Sequence, residues 1–289
     1  MKLIRLLSVS FLVQAAWAQT PALVIKFDLR PTLITSSKNA TALRFYDILA
    51  RTSTVGIALT LEPGLKALLT ERLQRIGRDD DLLDEAYLED PGNWRVGKQY
   101  LPFGARNIIR DDAVAIRLDT RLSLSDLKAI LAYCDNGPGQ TRGGVVRLGS
   151  RLGLSFAYGH HFTIYGTSLA QVRDPERALG KGTGYRWLAG VDYGRRVGEL
   201  NVEAEFVLLR QGESEYDPEE DISDLKLTYN PPSSNLTFIG AWSREWIARN
   251  DFYRFEAEVP LSRNVQLIPF VRFAGLSWKD LGVSARIKF

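Results

Sequence analysis

The last nine residues of the chain alternate strictly between two kinds of side chain. From Leu281 to Phe289 every odd-numbered position is apolar, and every even-numbered position is polar or glycine. In an extended strand, neighbouring side chains point to opposite faces, so this pattern gives one apolar face and one polar face. The length is close to that of a tilted strand crossing a bilayer. The segment therefore predicts a strand whose two faces meet different surroundings.

The same alternation recurs along the rest of the chain. In residues 200–208 the even positions are apolar, whereas the odd ones include Asn201, Glu203 and Glu205. Strands are predicted at 22–34, 41–50, 54–63, 82–89, 93–101, 112–119, 122–134, 144–158, 162–173, 184–193, 198–210, 222–230, 234–244, 251–260, 264–274 and 280–289. The predicted number is even, as in a closed antiparallel barrel.

Residues 1–18 have the layout of a cleavable secretory signal peptide. Lys2 and Arg5 give a basic start, residues 6–16 are mostly apolar, and Ala16 and Ala18 flank one variable position. The apolar run is shorter than the roughly 18 residues of a spanning helix, which argues against an anchor. Removing the two cations lowers the formal charge from +3 to +1. We expect an exported chain with a mature part at 19–289, and so weak a charge gives no support for nucleic acid as a partner.

The connections between the predicted strands differ in length on the two sides of the sheet. With the last strand running towards the periplasm, one side receives the tight turns 51–53, 90–92, 120–121, 159–161, 194–197, 231–233 and 261–263. The other side receives the longer connections 64–81, 102–111, 135–143, 174–183 and 211–221. Transmembrane barrels have this asymmetry, and a soluble β-sandwich has no reason for it. We predict an all-β fold, a transmembrane antiparallel up-and-down β-barrel of about 16 strands, with 14 as the alternative.

One segment does not fit the strand pattern. Between residues 65 and 76 the apolar side chains follow helical spacing, so we predict a short helix in an external loop or folded into the lumen. The alternative is an irregular strand extension of residues 54–63.

Two motifs carry a resemblance to known families. The alternating last strand that ends in Phe289 resembles that of outer-membrane barrels, in which the barrel-assembly machinery reads this signal. The stretches LDEAYLE at 83–89 and WRVGKQYLPFG at 94–104 resemble a hairpin of bacterial porins, notably phosphate-selective and sugar-type porins. Together they imply a water-filled barrel in outer-membrane lipid, often a homotrimer, that passes small hydrophilic solutes and needs no cofactor.

Charged side chains on the inward face of such a barrel would line the channel. The candidates are Arg117, Arg121, Arg147, Arg151, Arg186, Asp192, Glu203, Glu205, Arg254, Glu256 and Glu258. A wet lumen is required because an arginine facing lipid costs about 2–4 kcal/mol near the midplane. Bases and acids are mixed, so the resemblance does not bring phosphate specificity with it. The alternative is that these acids and bases neutralise one another across neighbouring strands.

The resemblance also implies an inward-folded loop between the fifth and sixth strands. Its constriction candidates are Arg106, Arg110, Asp111 and Asp112. Because this loop is short for that role, segment 65–76 is the alternative constriction.

The remaining reactive side chains suggest neither an enzyme nor a metal site. His160 and His161 fall in the tight connection 159–161 and are predicted to be turn residues; at adjacent strand positions they would point to opposite faces and could not bind one metal ion together. The acidic run from Glu213 to Asp221 is predicted to be a solvated external loop, and Cys134 has no predicted function. The sequence thus favours a channel for passive diffusion of small hydrophilic solutes and ions. A substrate-selective channel, and a secreted or surface β-barrel with a structural or adhesive role, are the alternatives.

Overall fold

The computed structural model describes residues 22–37, 41–46, 52–62, 64–74, 82–109, 112–121, 127–163 and 184–289. The predicted signal peptide lies outside these residues. The strands are β1 (Ala22–Leu29), β2 (Thr32–Ser36), β3 (Ala42–Arg44), β4 (Thr54–Glu62), β5 (Leu65–Arg72), β6 (Leu83–Asp90), β7 (Trp94–Tyr100), β8 (Asp112–Arg121), β9 (Lys128–Asp135), β10 (Arg142–Gly149), β11 (Leu152–Phe162), β12 (Tyr185–Val197), β13 (Leu200–Gly212), β14 (Glu220–Tyr229), β15 (Thr237–Glu245), β16 (Asn250–Pro260), β17 (Val265–Ala274) and β18 (Ser277–Lys288).

These segments form one closed antiparallel barrel. β1 and β2 are consecutive parts of the first barrel strand, and β3 and β4 are consecutive parts of the second. Each of the other fourteen named strands is one barrel strand, so the described segments form sixteen barrel strands. The ring closes where β18 pairs with β1 and β2, and Phe27 and Phe289 exchange two backbone hydrogen bonds of 3.1 Å. Closure pairs the backbone polar groups of the wall with one another, except along residues 22–26, which pair with β4 alone among the described strands.

The outer surface of the barrel is apolar. Large apolar side chains that are roughly half exposed cover one face of consecutive strands, among them Leu23, Ile25, Val114, Ile116, Leu118, Leu131, Leu152, Leu154, Phe156, Phe255, Leu281 and Val283. Exposed aromatic rings lie near both ends of the strands, with Tyr133 and Tyr158 at one end and Tyr193 and Tyr229 at the other. Such a band, bounded by aromatic side chains, matches a bilayer and its two interfaces. Within the described residues, no helix is long and apolar enough to cross a membrane.

The connections confirm the predicted sorting in outline. The chain enters β1 and leaves β18 at the mouth that carries the connections 63–64, 91–93, 122–127, 150–151, 198–199, 230–236 and 261–264, here called the short-turn mouth. The opposite, long-loop mouth is where the chain passes from β2 to β3, β5 to β6, β7 to β8, β9 to β10, β11 to β12, β13 to β14, β15 to β16 and β17 to β18.

The helix predicted at 65–76 is wrong for the part that the structure describes. Residues 65–72 form β5, which pairs with β4 and β6 on its two sides. Leu65, Leu68 and Leu69 fit a helical stripe, but β5 directs Leu69 outward and Leu68 inward. Pairing on both edges satisfies the backbone of this segment, and an isolated short helix would lack comparable packing.

The predicted number of barrel strands is confirmed, although several boundaries were wrong. The described parts of spans 41–50 and 54–63 belong to one barrel strand, made of β3 and β4, and span 144–158 is two strands that meet at a tight turn at 150–151. The outward side chains Leu148 and Leu154 pair across that turn, so the apolar alternation runs through it without a break. Most of the predicted strand 162–173 lies outside the described residues.

Candidate functional site

The loop after β7 folds into the barrel. Three of its residues contact the inward face of the opposite wall: Phe103 lies against Gly190 on β12, the Gly104 amide donates to Ser155 Oγ on β11 at 3.0 Å, and Asn107 contacts Glu205 on β13. The described part of this inward loop is residues 101–109. It packs along the inward face of the wall from β8 to β14 and occupies space inside the barrel.

An apolar cluster inside the barrel holds the loop against the wall. Leu101, Phe103, Ile108 and Ile109 are each at most 3% exposed. They pack with inward-facing small and apolar side chains of the wall, namely Ala113, Ala115, Ala132, Cys134, Val145, Ala157, Leu188, Val207, Leu209 and Ile222. Burial of apolar surface stabilises this loop as it does an ordinary protein core.

Glu205 joins the loop to β13 through its carboxylate. Its Oε2 accepts the backbone N–H groups of Asn107 at 2.8 Å and Ile108 at 3.1 Å, and the residue is 3% exposed. Bonds from backbone N–H groups to a carboxylate are among the stronger hydrogen bonds in proteins. The loop therefore has a polar attachment beside its apolar one.

Two glycines make this close approach possible. A Cβ on Gly104 would lie 1.8 Å from Glu205 Oε1, and Gly104 has a φ of +52°. A Cβ on Gly190 would lie 2.9 Å from the Phe103 ring. Both positions need a residue without a side chain, because the Glu205 carboxylate and the Phe103 ring occupy that space.

The wall behind the loop is acidic. Asp192, Glu205 and Asp224 follow one another across β12, β13 and β14, and none is more than 6% exposed. Asp192 pairs with Arg147 at 2.6 Å, and Asp224 accepts from Ser243 Oγ at 2.6 Å. The loop binds Glu205, and burial keeps all three carboxylates out of the open lumen.

The wall on the far side of the lumen is rich in arginine. Arg254 and Arg272 are directly opposite each other in the β16–β17 pair, and they ion-pair with Glu256 and Asp280. Arg286 contacts Asp28 at 2.7 Å. Interleaved acids and bases of this kind hold water and set an electric field in a pore.

Solved structures with the same architecture are bacterial outer-membrane proteins. An anion-selective porin from Comamonas acidovorans has a TM-score of 0.61 at 14% identity, covering 93% of this chain and 100% of that one. The outer membrane channel DcaP of Acinetobacter baumannii has a TM-score of 0.62 at 10% identity, covering 93% and 97%. OmpT of Vibrio cholerae, an outer membrane protein in its trimer form, has a TM-score of 0.59 at 10% identity, covering 94% and 100%.

The chain has the fold of a bacterial outer-membrane porin. At such low identity these likenesses show the fold alone. No protein-family model matches the sequence, and no curated protein matches it.

The porin fold places most of the predicted lining residues on the inward face. This holds for Arg117, Arg121, Arg147, Asp192, Glu203, Glu205, Arg254, Glu256 and Glu258. Arg151 is exposed in the turn at 150–151, and Arg186 lies at the long-loop end of β12, 3.4 Å from Glu213. Asp192, Glu205, Arg254 and Glu256 are each at most 8% exposed and do not border the open lumen. A role of the others in conduction stays a prediction.

The predicted constriction residues lie in different places. Arg106 is exposed on the inward loop, with its guanidinium 6.0 Å from the centre of the Tyr100 ring. Arg110 and Asp111 are outside the described residues. Asp112 begins β8 and pairs with Arg72 and Lys98, each at 3.3 Å, so it belongs to the barrel wall.

The two histidines are not in a tight turn, which corrects the prediction. They lie near the end of β11, where the register with β12 shifts, and both imidazoles contact Glu213, at 2.6 Å for His160 and 2.9 Å for His161. Burial alone would raise the pKa of Glu213, but its bonds to His160 and to the His161 amide outweigh this and lower the pKa. Glu213 therefore ties the loop after β13 to β11. Among the described residues, no group of three or more potential ligands is placed to hold a metal ion.

Sequence reasoning missed the partners of the inward loop. Asp224, Ser155 and Gly190 received no role, although each lies on an inward face. The available signal was the small size of the inward residues of β11 and β12, which leaves room for another segment.

Proposed function

We propose that this chain is an outer-membrane porin, a water-filled channel for passive diffusion of small hydrophilic solutes and ions. The observation that carries the proposal is the inward loop 101–109, held inside a closed barrel whose opposite wall is charged. A barrel that served only as an anchor or adhesin has no need of a charged interior around a folded-in loop.

Exposed charge on the inward face of the barrel mouth supports this function. Every residue from Ala22 to Phe27 is exposed, on both faces of β1. Residues 22–26 pair with β4 and extend past the end of β18, so the inward-facing Lys26 is exposed at the short-turn mouth. Space next to charged groups fills with water, and water-filled space is what small solutes cross.

The surroundings of the molecule follow from the same proposal. We place residues 19–289 in the lipid of the outer membrane, with residues 1–18 as the signal peptide and Phe289 as part of the signal for the assembly machinery. The apolar outer band fits the membrane location. Self-association as a trimer is supported by the trimer form of the similar Vibrio cholerae protein. We infer no enzymatic activity, because the His160–His161–Glu213 group contains no nucleophile.

Solute entry into liposomes tests the proposal. The folded protein, identified by migration on a gel that changes on heating, is reconstituted and challenged with neutral sugars of increasing size. Small sugars are expected to enter and to cause swelling, with a rate that falls steeply as the sugar grows. Liposomes that carry folded protein and admit no sugar would contradict the proposal.

A further inference from the structure

We propose that the channel prefers small inorganic anions, which are concentrated by a ring of cations at the short-turn mouth. This inference rests on the proposed porin function and names its preferred class of solute. It is based on the positions of the cationic side chains that have no acidic partner.

Exposed cations surround the short-turn mouth. Each occupies an inward-facing position at or near the end of a described strand: Lys26 on β1, Lys66 on β5, Arg121 on β8, Lys128 on β9, Arg196 on β12 and Lys288 on β18. None has an ion-pair partner within the described part of the chain. Two acids at this mouth are likewise without an ion-pair partner in the described residues: Glu258 on the inward face of β16, and Glu199, which is exposed in the turn 198–199.

The acids of the barrel interior do not balance this ring. Glu205 is bonded to the inward loop, Asp192 is buried and paired with Arg147, Asp224 is buried against Ser243, and Glu203 is paired with Lys226 at 2.6 Å. Asp119 is likewise paired with Arg117 at 2.6 Å. Most acids of the barrel interior are therefore buried or paired, whereas the six cations at this mouth are exposed and outnumber the unpaired Glu258 and Glu199.

The stability of the sheet does not explain the ring. Arg121 and Lys128 are directly opposite each other in the β8–β9 pair. Like charges at such positions destabilise a sheet. Their side chains point into the lumen, so lipid head groups do not neutralise them either. A mouth lined by one sign of charge raises the local concentration of the oppositely charged solute.

The reversal potential across a planar bilayer, with a potassium chloride gradient, tests this inference. We expect a chloride-to-potassium permeability ratio above one. The ratio should be largest at about 0.01 M salt, where the screening length is about 30 Å, and should approach one at 1 M, where it is about 3 Å. Inorganic phosphate in place of chloride should also carry current, since the ring selects by charge.

Charge reversals show whether the ring is the cause. Lys66→Glu and Lys128→Glu, made singly and together, should move the reversal potential towards potassium, and most in the double variant. Arg249→Glu is the matched control, because this exposed cation lies in the connection 246–249 at the opposite mouth. Lys66→Gln and Lys128→Gln give a smaller shift of the same sign and serve if a Glu variant does not fold.

The outcomes separate the two proposals. Absence of conductance from folded protein would overturn the porin function, and this inference with it. Conductance with no anion preference at low salt, or with a preference that the Lys66 and Lys128 variants leave unchanged, would overturn this inference alone.

Discussion

Glu205 shows how a single residue fixes the shape of the lumen. Sequence alternation assigns it to the inward face, and this is correct. It does not reveal that Glu205 accepts two loop amides, because those donors are about a hundred residues away along the chain. The row that brings Asp192 and Asp224 beside it depends on strand register. The pairing register of neighbouring strands cannot be determined from a single sequence to within one residue. An error of one residue turns every side chain of the strand to the opposite face of the sheet.

Replacing Glu205 should loosen the inward loop. In Glu205→Ala the amides of Asn107 and Ile108 lose their acceptor, and a buried unsatisfied donor costs about 1–3 kcal/mol. We expect lower thermal stability and larger fluctuations of the open-channel current. Glu203→Ala is the control, since Glu203 has the same inward orientation but pairs with Lys226. Equal current noise in the two variants would show that Glu205 does not position the loop.

The contact between Glu213 and the two histidines should depend on pH in the acid range. Because the folded-state pKa of Glu213 is below its usual value of 4.5, the contact stabilises the fold above that value and is lost as pH falls through the lowered pKa. Hydrogen exchange of the His161 amide, which donates to Glu213 at 2.6 Å, reports this contact. Protection should fall below pH about 4.5 in the natural protein. Glu213→Gln should be less protected at neutral pH and should change little on acidification. Identical profiles for the two proteins would contradict this role.

At the level of elements, strands were predictable where alternation was strict and uncertain where it was not. β13 and β18 are recovered because one face is apolar throughout. β5 was mistaken for a helix because Leu65, Leu68 and Leu69 satisfy both periods. Short apolar segments carry this ambiguity, and only the pairing with neighbouring strands resolves it.

Two neighbouring substitutions distinguish a strand from a helix at residues 65–72. Leu69 faces outward and Leu68 inward, so Leu69→Arg should hinder insertion by about 2–4 kcal/mol, whereas Leu68→Arg should be tolerated in the wet interior. The folded fraction in lipid, measured by heat-dependent gel migration, gives the comparison. If this segment were a helix outside the membrane, both variants would fold equally well.

For the whole molecule, the barrel and its orientation follow from features that repeat many times. The alternation of side chains and the difference in connection length between the two mouths both remain recognisable when single strand boundaries are misplaced. The predicted number of barrel strands was therefore right, although the predicted spans 41–50 and 144–158 were not. The contents of the lumen have no such redundancy. They depend on one loop and on the few side chains, such as Phe103 and Glu205, that hold it.

Single-channel recording in planar bilayers tests the central claim most directly. The folded protein should produce discrete, stable conductance steps at low voltage. The step size should rise when Phe103→Ala removes a side chain that holds the inward loop in the apolar cluster. Folded protein that inserts into the bilayer and gives no steps would contradict the account of this barrel as an open channel.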